Sequence, residues 1–366
     1  MQALRITIKL TNWPFECLIL YMNTKGVVAL VLVMMLLFSD ICGLLEQLSS
    51  FPSAYQTEAI TKEWFGQHVG HLQLSTESLA LLSCVMPARR YDRVYGLGER
   101  RIARIAAKAK EIGTSRQREL ERMRKEENLD YATAVMKAVE ECGAQNSSRA
   151  SLTITELDHT LDQVAAWCDF SDVELRKRYP RLDRASLSSQ LTLMFQRMSS
   201  LEVKWDMRLL LKDLKPAIVP QELMVKLVHP SLPSVLSVLD SFPEALSHLQ
   251  ERDSTCSGQA RPMVPQAGTR VSLPLFKKAR SIKHGHSLMR GQEVSVERKY
   301  DGEYCQVHLW QDSNSRKPVM QLFSKSGRDS TRDRDPILPT IRKCLSAGRS
   351  ADRVQKHCIL VGELVV

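Results

Sequence analysis

The 366-residue sequence contains no C-x-x-C pair. Its nine cysteines, Cys17, Cys42, Cys84, Cys142, Cys168, Cys256, Cys305, Cys344 and Cys358, are scattered and odd in number. A disulfide framework or a zinc ribbon needs paired spacing, so neither is expected. Reduced, mostly buried thiols in an intracellular protein are the expectation instead. His284 and His286 form H-x-H, but no second ligand pair lies near them. They read as part of a solvated basic loop rather than a metal site. No membrane span is expected either. The run Val27 to Phe38 (VVALVLVMMLLF) is continuously apolar but falls short of the ~20 residues a spanning helix needs. Arg5, Lys9 and Lys25 precede it, which is the shape of a signal-peptide core. A helical pattern competes for its end: Leu37, Phe38, Ile41, Leu44, Leu45 and Leu48 recur at helical spacing, with Ser39 or Asp40 as N-cap. Translation from Met34 or Met35 would leave residues 1–34 as a leader outside the native domain, and that is the reading adopted.

What is present is ordinary globular material. Hydrophobic residues make up 43% and charged residues 25%, and the length suits two to three domains. Lys plus Arg is 51 against 41 for Asp plus Glu, giving a net charge of +10 and a pI near 9.2. Such a balance favours a polyanionic partner, a nucleic acid or an anionic membrane.

From Leu37 to Leu249 no strand-period alternation occurs. Helical patterns cover 78–86 (ended by Pro87), 95–112, 128–142, 152–167 (capped by Thr153 or Thr155), 187–198, 203–214, 221–228 and 235–249, the last interrupted at Pro243. In the second of these, Tyr95, Leu97, Ile102, Ile105, Ala106 and Ile112 can face a core, while Arg100, Arg101, Arg104, Lys108 and Lys110 cover much of the rest. In 203–214, Trp205, Leu209 and Leu210 form a buried stripe. Residues 252–268 are rich in Ser, Thr, Gly, Pro and Gln and read as a linker. The period then switches to two, over 294–296, 304–310 and 319–323, with a hairpin turn at 312–317. A helix over 336–347 ends at Gly348, and 358–366 is a fourth strand. The reading is multidomain: a leader 1–34, an all-α domain 35–250, a linker 251–268 and an α+β domain from 269 to 366. The sequence stops within an apolar strand, ILVGELVV, a bare edge that complete folds avoid, so the last domain reads as truncated.

The densest chemistry lies at Val294 to Glu303. Lys299 at a strand end is followed by Tyr300, Asp301 and Gly302, a K-x-D-G turn at the mouth of a sheet. A lysine amine has a pKa of ~10.4, so only about one in a few thousand is nucleophilic at neutral pH. Burial and nearby cations can lower that by ~2–3 units, and Arg298, Lys325 and Arg280 are possible neighbours. Taken alone, the pattern is equally a hairpin lysine in solvent. In the helical half, Arg208, Lys212 and Lys215 stand at helical spacings, one basic face for phosphates or one solvated face.

In company the motifs say more. The stretch around Lys299 resembles the K-x-D-G element of nucleotidyltransferases. Phe323-Ser324-Lys325-Ser326-Gly327-Arg328 resembles the S-R-N-G element of DNA ligases, and Val361-Gly362-Glu363-Leu364-Val365 resembles their D-G-E-L-V element. Ser200 to Lys215, with its E-x-x-W-x-x-R-x-x-x-K-D-L-K run, is similar to the DNA-binding domain of eukaryotic ligases. So are Leu152 to Trp167 and the Tyr95-Gly96-Leu97 segment. The chain from about Leu37 to Val366 thus resembles an ATP-dependent DNA ligase, nearest to the end-joining type IV enzyme and its fungal paralogues.

The resemblance implies an all-α DNA-binding domain and the first part of an α+β adenylation domain with an ATP-grasp-like core. It implies ATP and Mg²⁺, and Lys299 as the nucleophile that takes AMP. Glu297 would contact adenine; Arg298, Asp301, Gly302 and Lys325 would border the nucleotide; Glu363 would hold ribose or metal. Arg208, Lys212, Lys215 and Lys325 would meet DNA. The implied work is sealing of nicks or breaks in duplex DNA, in repair and recombination, in the nucleus. The implied partners are nicked or broken duplex and an end-joining scaffold protein, with no membrane.

Departures weigh against full activity. Tyr304 stands where the family has Arg after D-G-x, Lys325 and Ser326 replace Arg and Asn, and Val361 replaces an acid. Pro216 and Ala217 replace a pair containing a flexible Gly. The family's later charged motifs do not occur in the sequence, so little or no lysyl-AMP formation and no nick sealing are the expectation for these residues by themselves. The alternative reading is a catalytically inactive, truncated DNA-binding paralogue. An RNA ligase or capping enzyme shares K-x-D-G but lacks the helical domain.

Overall fold

The computed structural model describes residues 5–8, 18–22, 28–32, 35–51, 53–69, 76–142, 152–181, 183–254, 264–273, 278–294, 298, 300–312, 317–346 and 357–365. The chain forms two compact units, residues 1–169 with 173–230, and residues 170–172 with 231–366.

The first unit opens with three short strands, β1 (Arg5–Ile8), β2 (Leu18–Met22) and β3 (Val28–Leu32). They pair antiparallel in the order β1-β2-β3. Part of the apolar run is therefore strand backbone. Helices follow: α1 (Phe38–Ser50), α2 (Ala54–His68), α3 (Thr76–Val85), α4 (Glu99–Ala109), α5 (Thr114–Glu126) and α6 (Tyr131–Glu141). Then come α7 (Ile154–Ala166), α8 (Val173–Arg178), α9 (Arg184–Arg197), α10 (Ser200–Leu211) and α11 (Gln221–Val228).

Local chemistry sets several of these starts. Thr153 caps α7 in a reciprocal box: Glu156 N donates to Thr153 Oγ1 (3.2 Å) and Thr153 N donates to the Glu156 carboxylate (3.2 Å). Ser199 and Glu202 repeat the device at α10. For α1 the expectation of Ser39 or Asp40 as N-cap is corrected. Leu37 occupies that position, and its N–H donates to the Asp40 carboxylate at 3.2 Å. The reason is tertiary: Leu37 bridges Thr153, with Phe38 N donating to Leu152 O (2.8 Å) and Ile154 N to Leu36 O (3.1 Å). That bridge fixes where both helices begin.

Helix α10 is the centre of this unit, packed against α6, α1 and α4. Trp205, Met207 and Leu209 are wholly buried, each contributing about 1.5–3 kcal/mol of transfer free energy. The burial is not a stripe, however. Glu202, Lys204, Asp206 and Arg208 are buried too, so α10 is enclosed all round. Helix α4 has the amphipathic form expected of it, with Tyr95, Leu97, Ile102, Ile105, Ala106 and Ile112 all buried, but Lys110, expected among the outward cations, is buried just past the helix and donates to the Met198 carbonyl.

A buried charge network spans α7 and the turn after α3. Arg93 meets Asp158 at 2.7 Å and Asp162 at 2.6 Å, and Arg90 meets Asp92 at 2.7 Å. Against the upward push of burial, Arg93 and Arg90 hold the Asp158 carboxyl below the usual range. Against the same push, Arg90 draws Asp92 down to about 2.

The second unit contains α12 (Leu232–Val238), α13 (Phe242–Ser254), α14 (Ile282–Met289), β4 (Glu303–Gln311), β5 (Pro318–Ser324), α15 (Leu338–Ser346) and β6 (His357–Leu364). The interruption expected near Pro243 within 235–249 is present: α12 ends at Val238, and Pro243 falls in the first turn of α13. His284 and His286 lie on α14, with no buried residue, where a loop was expected. Before α15, Arg332–Ile337 forms a 3-10 turn.

The sheet runs β5-β4-β6, with both pairs antiparallel. One face of β4, Cys305, Val307 and Leu309, packs with Met320, Leu322, Leu338 and Ile341. The other face is polar. Gln306 is buried and clasps the backbone of Val271 at both N–H and carbonyl (3.2 and 2.6 Å). His308 accepts from Gly268 N through Nδ1 at 3.1 Å and lies 3.3 Å from the Gln306 side-chain oxygen through Nε2. Burial pushes its pKa down to about 4. Gly268, at φ +93°, sits where a Cβ would be 3.4 Å from the Trp310 ring.

Candidate functional site

The strand register gathers the motif positions at one end of the second sheet. Glu303 pairs with Leu364, Tyr304 with Glu363, and Cys305 with Ser324. The start of β4, the end of β5 and the end of β6 are therefore neighbours. Lys299 and Glu297, the expected nucleophile and adenine contact, lie outside the described residues. The residues beside them are described. Arg298, Tyr300, Glu363 and Val365 line an open cleft of about 400 Å³. The Arg298 guanidinium stands 5.5 Å from the centroid of the Tyr300 ring. Asp301 is exposed and is not among the lining residues.

Gly302 is required by contact rather than by dihedral angle. A Cβ there would lie 2.5 Å from the Leu364 carbonyl oxygen and 3.1 Å from its carbon. Both are backbone atoms of the partner strand and cannot swing aside. The missing side chain lets the Asp-Gly turn lie directly on the end of β6, beside Glu363.

On the opposite face, Arg334 clamps the start of β4. Its guanidinium is 2.6 Å from the Glu303 carboxylate and donates to Ser330 Oγ at 2.6 Å. Arg334 is buried although Glu303 is exposed. Lys325 is exposed on the turn after β5, closed by Gly327 N to Ser324 O (2.9 Å) and Ser324 N to Arg328 O (2.9 Å). Gly327 has φ +82°, the left-handed conformation such a turn favours glycine for. Arg270 reaches under this turn. It donates to the Lys325 carbonyl at 3.1 Å while paired with Asp240 at 2.7 Å. The sequence reading missed both Arg270 and Arg334. An arginine within a Ser-Thr-Arg-Asp-Arg-Asp run carries no sign of burial, and Arg270 lies beside a segment read as linker.

In the helical unit the expected basic face does not form. Arg208 is buried, 2.5 Å from Asp130, with its Nη2 donating to Thr133 Oγ1 at 3.1 Å and its guanidinium 4.8 Å from the Trp205 ring centroid. Lys212 lies beyond the last helical residue in a left-handed conformation, φ +55°. Its ammonium donates to the carbonyls of Arg90 (2.6 Å) and Arg93. Burial lowers its pKa to about 8. Lys215 is exposed, 3.6 Å from Asp213. Helical spacing fails because α10 ends at Leu211, and two of the three cations have partners inside the fold. Among the described residues, no group of three metal-ligating side chains occurs. Nor is any described helix long and apolar enough to cross a membrane.

Comparison with known proteins agrees with the helical architecture. The family described as "DNA ligase N terminus" matches residues 37–227, more than half of the chain. The chain belongs to the DNA ligase family. It is similar to a "Putative DNA ligase 4" of Oryza sativa subsp. japonica, 26% identical over 222 residues, covering 61% of this chain and 15% of the relative. It is also similar to "DNA ligase 4" of Homo sapiens, 26% identical over 223 residues, covering 59% of this chain and 21% of the relative. "DNA ligase 4" of Dictyostelium discoideum is 20% identical over 322 residues, covering 78% and 27%. All three of these relatives are eukaryotic and carry the name DNA ligase 4, one of them as putative. The chain spans between 15% and 27% of the length of these relatives.

Proposed function

We propose that the chain acts in ATP-dependent DNA ligation, with the helical unit holding duplex DNA and the sheet end of the second unit carrying an adenylation site. The observation that carries this reading is the convergence of three motif positions, Gly302, Ser324 and Glu363, at one sheet end. The cleft residues suit a nucleotide: a guanidinium for phosphate, an aromatic ring, and one carboxylate. Mg²⁺ is commonly held by one or two carboxylates together with substrate phosphates, and Glu363 is the carboxylate available for that. The metal would offset phosphate charge.

The neutral Lys299 amine attacks the α-phosphorus of ATP, forming a P–N bond as the bond to pyrophosphate breaks. The 5′-phosphate of a nick takes the AMP, releasing the lysine. The 3′-hydroxyl then attacks that phosphate, sealing the strand and expelling AMP. Arg298 would hold the phosphates in line, where positioning and charge supply most of the acceleration. The setting proposed with it is nuclear repair and recombination, with an end-joining scaffold protein as partner, as the resemblance of the sequence to end-joining ligases implies.

The test is sealing of a nicked duplex with ATP and Mg²⁺. ATP-dependent sealing that disappears in Lys299→Ala is the expected result. Sealing that survives that substitution would refute the assignment. Duplex binding without any sealing would favour a non-catalytic DNA-binding paralogue, the reading that Tyr304 and Val361 support.

A further inference from the structure

We infer that the outer face of α4 is a phosphate-binding surface for duplex DNA, built from Arg100, Arg104 and Lys108. The inference rests on the proposed DNA-binding role of the helical unit.

The three residues stand four apart and all are exposed. Along the helix that spacing is ~6 Å, so the row extends ~12 Å. Each strand of a duplex carries one charge per ~3.4 Å of axis, so the row can face several phosphates. The inner face of α4 is seated against α9 and α6, with Ile102 and Ala106 wholly buried, so the row is held on a fixed scaffold.

The row runs against local rules of helix stability. Arg100–Arg104 and Arg104–Lys108 are like-charge pairs at i,i+4, which disfavour the helix. Arg100 and Arg101 sit in the first turn, where the helix dipole disfavours cations. Several other cations of the unit meet carboxylates: Arg124 with Glu121, Lys137 with Glu127, Lys177 with Glu174, Arg208 with Asp130. Arg104 and Lys108 have no ion-pair partner among the described residues. Arg100 donates to the Tyr131 hydroxyl at 3.1 Å, which in turn meets Glu121. Arg101 lies 5.4 Å from the Trp167 ring centroid, turned from the row. An arrangement that opposes helix stability and leaves Arg104 and Lys108 uncompensated is explained by a partner that supplies the missing anions.

The test is fluorescence anisotropy of a labelled duplex titrated with the full chain at several salt concentrations. Arg104→Ala/Lys108→Ala should flatten the slope of log K against log salt by about 2, while Lys177→Ala leaves it unchanged. Arg104→Gln/Lys108→Gln should do the same, and an unaltered urea midpoint checks that each variant folds. If the wild type binds duplex and both double variants bind with the same slope, the α4 surface is wrong while the DNA-binding reading stands. If the wild type binds no duplex, that reading fails first. Binding to phosphatidylserine vesicles but not to duplex, lost in the double variants, would overturn the inference in favour of a membrane surface.

Discussion

Helices α4 and α10 lie in the same unit and carry similar numbers of charges, yet they use them in opposite ways. On α10, Glu202, Lys204, Asp206 and Arg208 are all buried. On α4, Arg100, Arg104 and Lys108 face solvent. The difference comes from partners remote in sequence. Lys204 meets Glu46, 158 positions away, at 2.7 Å, and Arg208 meets Asp130, 78 positions away. A charged residue on a helix is assigned to solvent or to core by what the rest of the fold brings to it. The helical period alone does not decide.

The largest expected effect lies in the charge network beside α10. Arg93→Ala would leave Asp158 and Asp162 buried without their closest cation. Removing one partner of a buried pair costs about 3–5 kcal/mol. Urea unfolding should show an unfolding free energy lower by that amount, and a change under about 1 kcal/mol would break the claim that these charges are structural.

Next is Asp206, which no hydrogen bond satisfies and which burial, helped by Glu202, pushes up to about 8. A carboxyl whose folded pKa exceeds its unfolded value stabilises most at low pH. Its contribution is full below about pH 4 and is lost as pH rises through about 8. Asp206→Leu should therefore raise stability near neutral pH by on the order of 2–4 kcal/mol, with the gain growing between those limits. A gain that does not vary with pH would show that the carboxyl is not proton-linked.

Lys212→Met comes third. It removes two donated hydrogen bonds to the carbonyls of Arg90 and Arg93, at a cost of about 1–3 kcal/mol. The depressed lysine pKa reverses the sign seen for Asp206. Its ionisation opposes folding below about pH 8, and that penalty is relieved as pH rises towards the unfolded value. The sharper comparison is with DNA: once folded, Lys212→Met should keep the wild-type salt slope, whereas α4 variants lose it. A flattened slope would return Lys212 to the DNA face.

The smallest effect is on α4 itself. Arg104→Glu turns two repulsive i,i+4 pairs into attractive ones and should stabilise the fold by about 0.5 kcal/mol while weakening duplex binding. Loss of stability would mean that Arg104 has a structural partner.

Much of the helical unit was legible because its cues are local. Thr153 with Glu156 and the apolar spacing of α4 fall where capping and period place them. The β4–β5 and β4–β6 pairs follow the switch to period two. What escaped depended on tertiary contact. Leu37 displaces Ser39 and Asp40 as N-cap because a bridge to Thr153 sets the start of α1. The change of unit was placed at 251–268 on composition, whereas α12 and α13 group with the sheet. There Arg270 pairs with Asp240, and Ser272 Oγ donates to Ser237 O at 2.9 Å. In the candidate site, motif order gave Glu363 and Gly302, but nothing in it disclosed that Gly302 abuts the Leu364 carbonyl or that Arg334 holds Glu303.

The most direct test of the ligase reading is covalent labelling. The full chain is incubated with Mg²⁺ and ATP labelled at the α-phosphate, without DNA, and then denatured, digested and mapped. The account predicts slow transfer of AMP to the peptide containing Lys299, abolished by Lys299→Ala and sharply reduced by Gly302→Ala, whose Cβ would push the turn off Leu364. Label on any other residue, or label that persists in Lys299→Ala, would contradict it.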